Sequence, residues 1–144
     1  LTVDPGVSRR GHAPADSPDA APLETGLAES DYVTLHADMR PQNRHLIGLD
    51  ELARMKPTAV LINTARGGLV DEKALVSALQ CGRIAGAALD VFENEPLSDD
   101  SPVRRMPNVY LAPHNANASP RAAERVHTNC IRNLLQVLSP TDHR

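Results

Sequence analysis

The sequence predicts an α/β fold with a doubly wound, parallel sheet. Two observations carry that expectation. Short, continuously apolar runs such as AVLIN (59–63) have the pattern of strands buried on both faces of a parallel sheet. These runs alternate with stretches whose apolar residues recur at helical spacing, and strand–helix alternation with right-handed crossovers builds layered α/β domains.

Taken in order, LTVD reads as the last half of a strand ending at Asp4. The segment from Pro5 to Pro22 has no apolar period and is rich in Pro, Ala and Ser, so residues 1–22 are expected to be a strand remnant followed by a mobile loop. LETGLAES (23–30) suits a short helix and DYVTLH (31–36) a strand. LDELARM (49–55) suits a second helix, with Asp50 as its expected N-cap and Lys56-Pro57 stopping it. After AVLIN comes a helix from Asp71 to Gln80, on which Leu75, Val76 and Leu79 share a face and which Gly82 ends. The strands IAGAALDV (84–91) and NVYLA (108–112) follow. The last helix spans Pro120 to Leu138, with Ser119 as cap and Pro120 at its first position, and 139–144 is a tail. With Phe92, Tyr32 and Tyr110 as the only aromatic residues, the core must be built from Leu, Ile, Val and Ala.

The 144 residues suit one domain. A net charge of -3 with interspersed signs gives no face for nucleic acid or an anionic membrane. No apolar run approaches the roughly 20 residues of a membrane span. Cys81 and Cys130 lie far apart with no signal peptide, as expected of reduced thiols in a cytoplasmic protein.

In open α/β sheets ligands sit beyond the carboxyl ends of the strands. Five expected strand exits carry a polar or ionisable residue: Asp4, His36, Arg66, Asp90 and His114. A lone Asp there is most often a helix cap, and a lone His a satisfied loop residue. Arg66 is harder to account for structurally. It follows an apolar run, precedes Gly67 and Gly68, and carries a planar fork that matches a carboxylate. A structural salt bridge is the competing explanation. In DVFENEP, Glu93 or Glu95 could pair with His114, since a carboxylate beside a histidine favours the imidazolium and fixes its tautomer. The alternative is that both glutamates solvate a loop. An Arg, a Glu and a His on successive exits form an anion clamp plus a proton donor, the equipment for a keto acid.

Three motifs, HLIGLDELARMKPTAVLINTARGGLVDEKAL, GRIAGAALDVFENEPL and PNVYLAPHNANAS, in this order and spacing, resemble the NAD-binding domain of the D-isomer-specific 2-hydroxyacid dehydrogenases, from about Leu23 to Leu138. The family includes phosphoglycerate dehydrogenases, glyoxylate/hydroxypyruvate reductases and the C-terminal-binding-protein corepressors. The resemblance implies a Rossmann-type fold and an NAD-dependent enzyme. It implies that Arg66 holds the substrate carboxylate, that Glu95 rather than Glu93 partners the catalytic histidine, and that His114 is the acid-base group. It further implies cofactor contacts from Asp4 (the ribose hydroxyls, hence NAD rather than NADP), His36, Thr64, Ala65, Arg66, Asp90 and His114, no metal, a small 2-keto or 2-hydroxy acid substrate, and a homodimer.

ADMRP (37–41) stands where many members have a Leu-Pro-Leu-Thr run. The family's glycine-rich fingerprint lies roughly 20 residues before the ribose-binding acid, and Asp4 is the fourth residue. The first strand, the glycine-rich loop and the substrate domain are therefore expected to be absent here, leaving an incomplete sheet and an isolated chain without activity. Two other readings stand beside the enzyme: a corepressor-like, NAD-sensing binding module, and an inactive remnant.

Overall fold

The computed structural model describes residues 21–116 and 118–138. The LTVD strand remnant with Asp4, nearly all of the 5–22 loop and the 139–144 tail lie outside them. Residues up to His114 form one compact unit and those from Asn115 another.

The first unit contains helix α1 (Leu23–Glu29), strand β1 (Tyr32–Leu35), helix α2 (Leu49–Arg54), strand β2 (Val60–Asn63), helix α3 (Glu72–Gln80), strand β3 (Gly86–Leu89) and strand β4 (Val109–Leu111). The strands pair in sequence order, β1-β2-β3-β4, every pair parallel. Register puts Val33, Leu61, Ala87 and Val109 in one row and Leu35, Asn63, Leu89 and Leu111 in the next row on the same face.

That face carries the core. Leu27 of α1, Leu52 of α2 with Met55 just after it, and Leu75, Ala78 and Leu79 of α3 form one buried cluster with Leu35, Leu61, Ala87 and Leu89. On the opposite face Val60 and Ile62 are half-buried, while Tyr32 and Tyr110 are largely exposed. AVLIN is therefore not buried equally on both faces. Among the described residues of this unit, the helices α1–α3 cover one side only, and the apolar run is fuller than that cover.

Both expected ends of α3 hold, and the expected cap of α2 does not. Asp71 caps α3 by accepting from Ala74 N at 3.1 Å. At the other end Gly82 takes φ +68°, with Gly82 N bonded to Leu79 O and Arg83 N to Ala78 O, the paired bonds of a glycine-terminated helix. For α2 the cap is Gly48, not Asp50. Asp50 already lies inside the helix, and Glu51 folds back so that its Oε2 accepts from Gly48 N at 3.1 Å. IAGAALDV pairs as strand only over Gly86–Leu89. The 3-10 turns at Pro41–Asn43, Gly67–Leu69 and Pro102–Arg105 and the parallel bridge between Ile47 and Val70 have no counterpart among the expected elements.

The second unit is helix α4 (Pro120–Leu138). Ser119 Oγ accepts from Ala122 N at 3.1 Å, the expected cap. Val126, Ile131, Leu134, Leu135, Val137 and Leu138 are exposed along it.

Candidate active site

Because all four strands run the same way, their exits share one edge of the sheet, in the order His36, Thr64 to Arg66, Asp90, His114. Neighbouring strands lie about 4.8 Å apart, so the exits of β2 and β4 are separated by about 10 Å. That suits groups meant to grip two ends of one small molecule.

His114 follows Pro113 with φ +55°, a left-handed backbone that His tolerates better than most residues. Its Nδ1 lies 2.8 Å from Glu95 Oε2. Glu95 Oε1 accepts from Phe92 N at 2.9 Å. These bonds hold the Glu95 carboxyl below its ordinary range, the Phe92 N–H first and the His114 contact next. An ionised carboxylate can only accept, so the proton of the shared bond sits on Nδ1. Nε2 is then the nitrogen left to give or take a proton.

Arg66 is positioned by a residue the sequence did not single out. Asn63, 1% exposed at the end of β2, accepts from Ala65 N at 3.1 Å and donates from Nδ2 to Arg66 O at 2.9 Å. The side chain closes the turn that backbone alone would leave open. Its signal was the one polar residue ending an apolar run. The Arg66 side chain is exposed, donating from Nη1 to Ala65 O at 2.6 Å. Among the described residues no carboxylate forms a salt bridge with it.

Glu93 does not solvate a loop. Its Oε1 takes Arg44 Nη2 and His45 Nε2, each at 2.7 Å, and its Oε2 faces Glu72 N at 3.5 Å. Burial pushes its carboxyl up, but the His45 bond, the Glu72 N–H and the charges of His45 and Arg44 together bring it below the ordinary value. Glu93 and Glu95 thus face different histidines, and the His114 pair is made by Glu95.

The other expected residues divide. Thr64 is exposed and Ala65 half-buried, both small and on the same edge as His114. Asp90 is 4% exposed, with its N–H donating to Asn63 O at 3.0 Å. His36 is exposed and bonds locally, Nε2 to Thr34 Oγ1 at 3.1 Å, and no bond ties it to the His114 pair. Asp4 lies outside the described residues. Among those residues no cluster of His, Cys, Asp or Glu is arranged for a metal, and no helix is long and apolar enough to cross a membrane.

A four-stranded parallel sheet with flanking helices and its polar residues gathered on the carboxyl edge is a Rossmann-like arrangement. Residues 2–116 match the D-isomer specific 2-hydroxyacid dehydrogenase, NAD binding domain. The chain belongs to that family. It is 50% identical over 114 residues to a glyoxylate reductase of Korarchaeum cryptofilum (strain OPF8), covering 79% of this chain and 34% of that protein. Among solved structures it resembles the NAD complexed form of a D-isomer specific 2-hydroxyacid dehydrogenase from Lactobacillus delbrueckii ssp. bulgaricus, with TM-score 0.74 and 32% identity over 91% of this chain and 46% of that one. A D-isomer specific 2-hydroxyacid dehydrogenase from Xanthobacter autotrophicus Py2 in complex with NADPH and MES gives TM-score 0.70 and 40% identity over 85% and 41%. The chain thus spans about a third of the length of its curated relative and less than half of these structures.

Proposed function

We propose that the whole protein reduces a small 2-keto acid to the D-2-hydroxy acid with a nicotinamide cofactor, and that residues 23–138 are its NAD-binding part. The observation that carries this reading is the 2.8 Å contact between His114 and Glu95 on the edge that also presents the exposed Arg66. A reduced nicotinamide bound there supplies the hydride. Arg66 grips the substrate carboxylate with its planar fork and orients the carbonyl. His114 would donate the Nε2 proton to the carbonyl oxygen of the substrate as it is reduced. Glu95 stabilises the imidazolium before transfer and keeps Nε2 aimed outward. Asn63 holds the Arg66 turn in place.

Glyoxylate is the natural first substrate to try, since the reductase from Korarchaeum cryptofilum bears that name. Asp4 supports NAD over NADP, because a carboxylate facing the ribose 2'-hydroxyl repels a 2'-phosphate. The exposed free thiols of Cys81 and Cys130 fit a reducing cytoplasm, and we take the protein to be a homodimer. The test is oxidation of NADH by glyoxylate in the full-length protein, beside dissociation constants for NAD and NADP. Turnover with tighter NAD binding is expected. A folded protein that binds NAD and turns over no 2-keto acid would leave the NAD-sensing module standing instead.

A further inference from the structure

We infer that His45 is a positioning residue for this site, tying the loop that presents Glu95 to the turn that presents Arg66. The inference rests on the acid-base reading of His114 and Glu95.

His45 stands where three segments meet. Its backbone N–H donates to Gly68 O at 2.9 Å, and Ile47 N to Leu69 O at 3.0 Å, so the chain after β1 runs alongside the Arg66-Gly67-Gly68 turn. Its ring reaches the other way, with Nε2 2.7 Å from Glu93 Oε1. Glu93 lies two residues before Glu95. A Cβ built on Gly67 would fall 1.8 Å from Phe92 O, so the peptide between Phe92 and Glu93 is seated directly on the turn. The Phe92 N–H is the same one that holds Glu95 Oε1. Fixing Glu93 therefore fixes the short segment whose backbone orients Glu95 toward His114.

The groups facing the His45 ring are few. Glu93 pairs with Nε2, Asp71 Oδ2 lies 3.9 Å from Nδ1, and Arg44 shares the Glu93 oxygen. His45 also has φ +51°, a left-handed backbone that L side chains rarely adopt. Together these put two histidines in left-handed backbone, His45 and His114, each paired with one carboxylate of the same loop.

The test reads Glu95, a residue left unmutated, by carbon-13 NMR titration of its carboxyl in the full chain; Glu95→Gln assigns the signal. His45→Asn keeps a residue at ease in left-handed backbone but too short to reach Glu93. His45→Gln regains reach and a donor while fitting that backbone less well, so rescue by Gln cannot come from the backbone. The Glu95 titration is expected to rise toward the ordinary glutamate value in His45→Asn and to return in His45→Gln. If His45→Asn does not fold, Glu93→Gln is read in its place, and the same rise is expected. No movement of Glu95 in the folded variant overturns the inference. His114→Gln separates the two readings: a Glu95 that responds to His114→Gln and not to the His45 variant removes only the positioning role. One that responds to the His45 variant and not to His114→Gln keeps that role and removes the catalytic pair.

Discussion

A Cβ at Gly67 would lie 1.8 Å from the carbonyl oxygen of Phe92, so the residue after Arg66 and the loop that carries Glu95 are in backbone contact. Gly68 is different, because its nearest atom is the mobile end of a side chain, Met39 Cε at 2.9 Å. Neither glycine has a left-handed backbone, so the contrast concerns space alone. Gly67→Ala is expected to cost at least about 1–3 kcal/mol by overpacking, and Gly68→Ala less. Chemical denaturation of both variants checks this, and equal losses would contradict it.

Asn63 gives a second prediction. In Asn63→Asp the buried side chain still accepts from Ala65 N, but an oxygen replaces the donor to Arg66 O. A buried acceptor facing an acceptor is expected to cost about 1–3 kcal/mol near neutral pH. The loss should shrink in acid, because a protonated Asp can donate to Arg66 O, and denaturation at two pH values reads that difference.

Glu93 and Glu95 set the acid limit of this part of the fold. Both carboxyls are held below the ordinary value of 4.5. A carboxylate with a lowered folded value contributes stability that is complete above its unfolded value and is lost as pH falls through the folded one. Stability is therefore expected to drop as pH falls from 4.5, and a Glu93→Gln/Glu95→Gln double variant should show a shallower drop. Equal slopes for the two proteins in thermal melts across this window would contradict the assignment.

Arg66 is expected to act on binding. Arg66→Lys keeps the charge but loses the two-pronged contact, so KM for a 2-keto acid should rise roughly tenfold or more, the equivalent of about 1.4 kcal/mol. Steady-state kinetics in the full-length protein, with the cofactor saturating, measures it.

The strand–helix alternation was legible because buried strands and amphipathic helices leave different periods, and the exits of β2, β3 and β4 followed from it. Arg66 and His114 stood out because ionisable residues beyond apolar runs need an explanation. His45 did not, and Glu93 stood out only as an alternative partner for His114, since Glu93 and His45 are 48 residues apart and only the fold brings them together. Asn63 was hidden because its role depends on local turn geometry rather than on spacing. The Asp50 cap was misplaced because Gly48 offers no side-chain signal and the capping group, Glu51, reaches back from within the helix.

In the proposed reaction His114 donates the proton and Glu95 works through it. The most direct measurement is a double-mutant cycle on kcat/KM for glyoxylate reduction by the full-length protein, with His114→Gln, Glu95→Gln and the pair. His114→Gln is expected to lose roughly 10²–10⁴-fold. Glu95→Gln should lose less, and the double variant about the same as His114→Gln alone, because groups that act as a unit are not additive. Losses that multiply in the double variant, or a His114→Gln protein with near wild-type kcat/KM, would contradict these roles for His114 and Glu95.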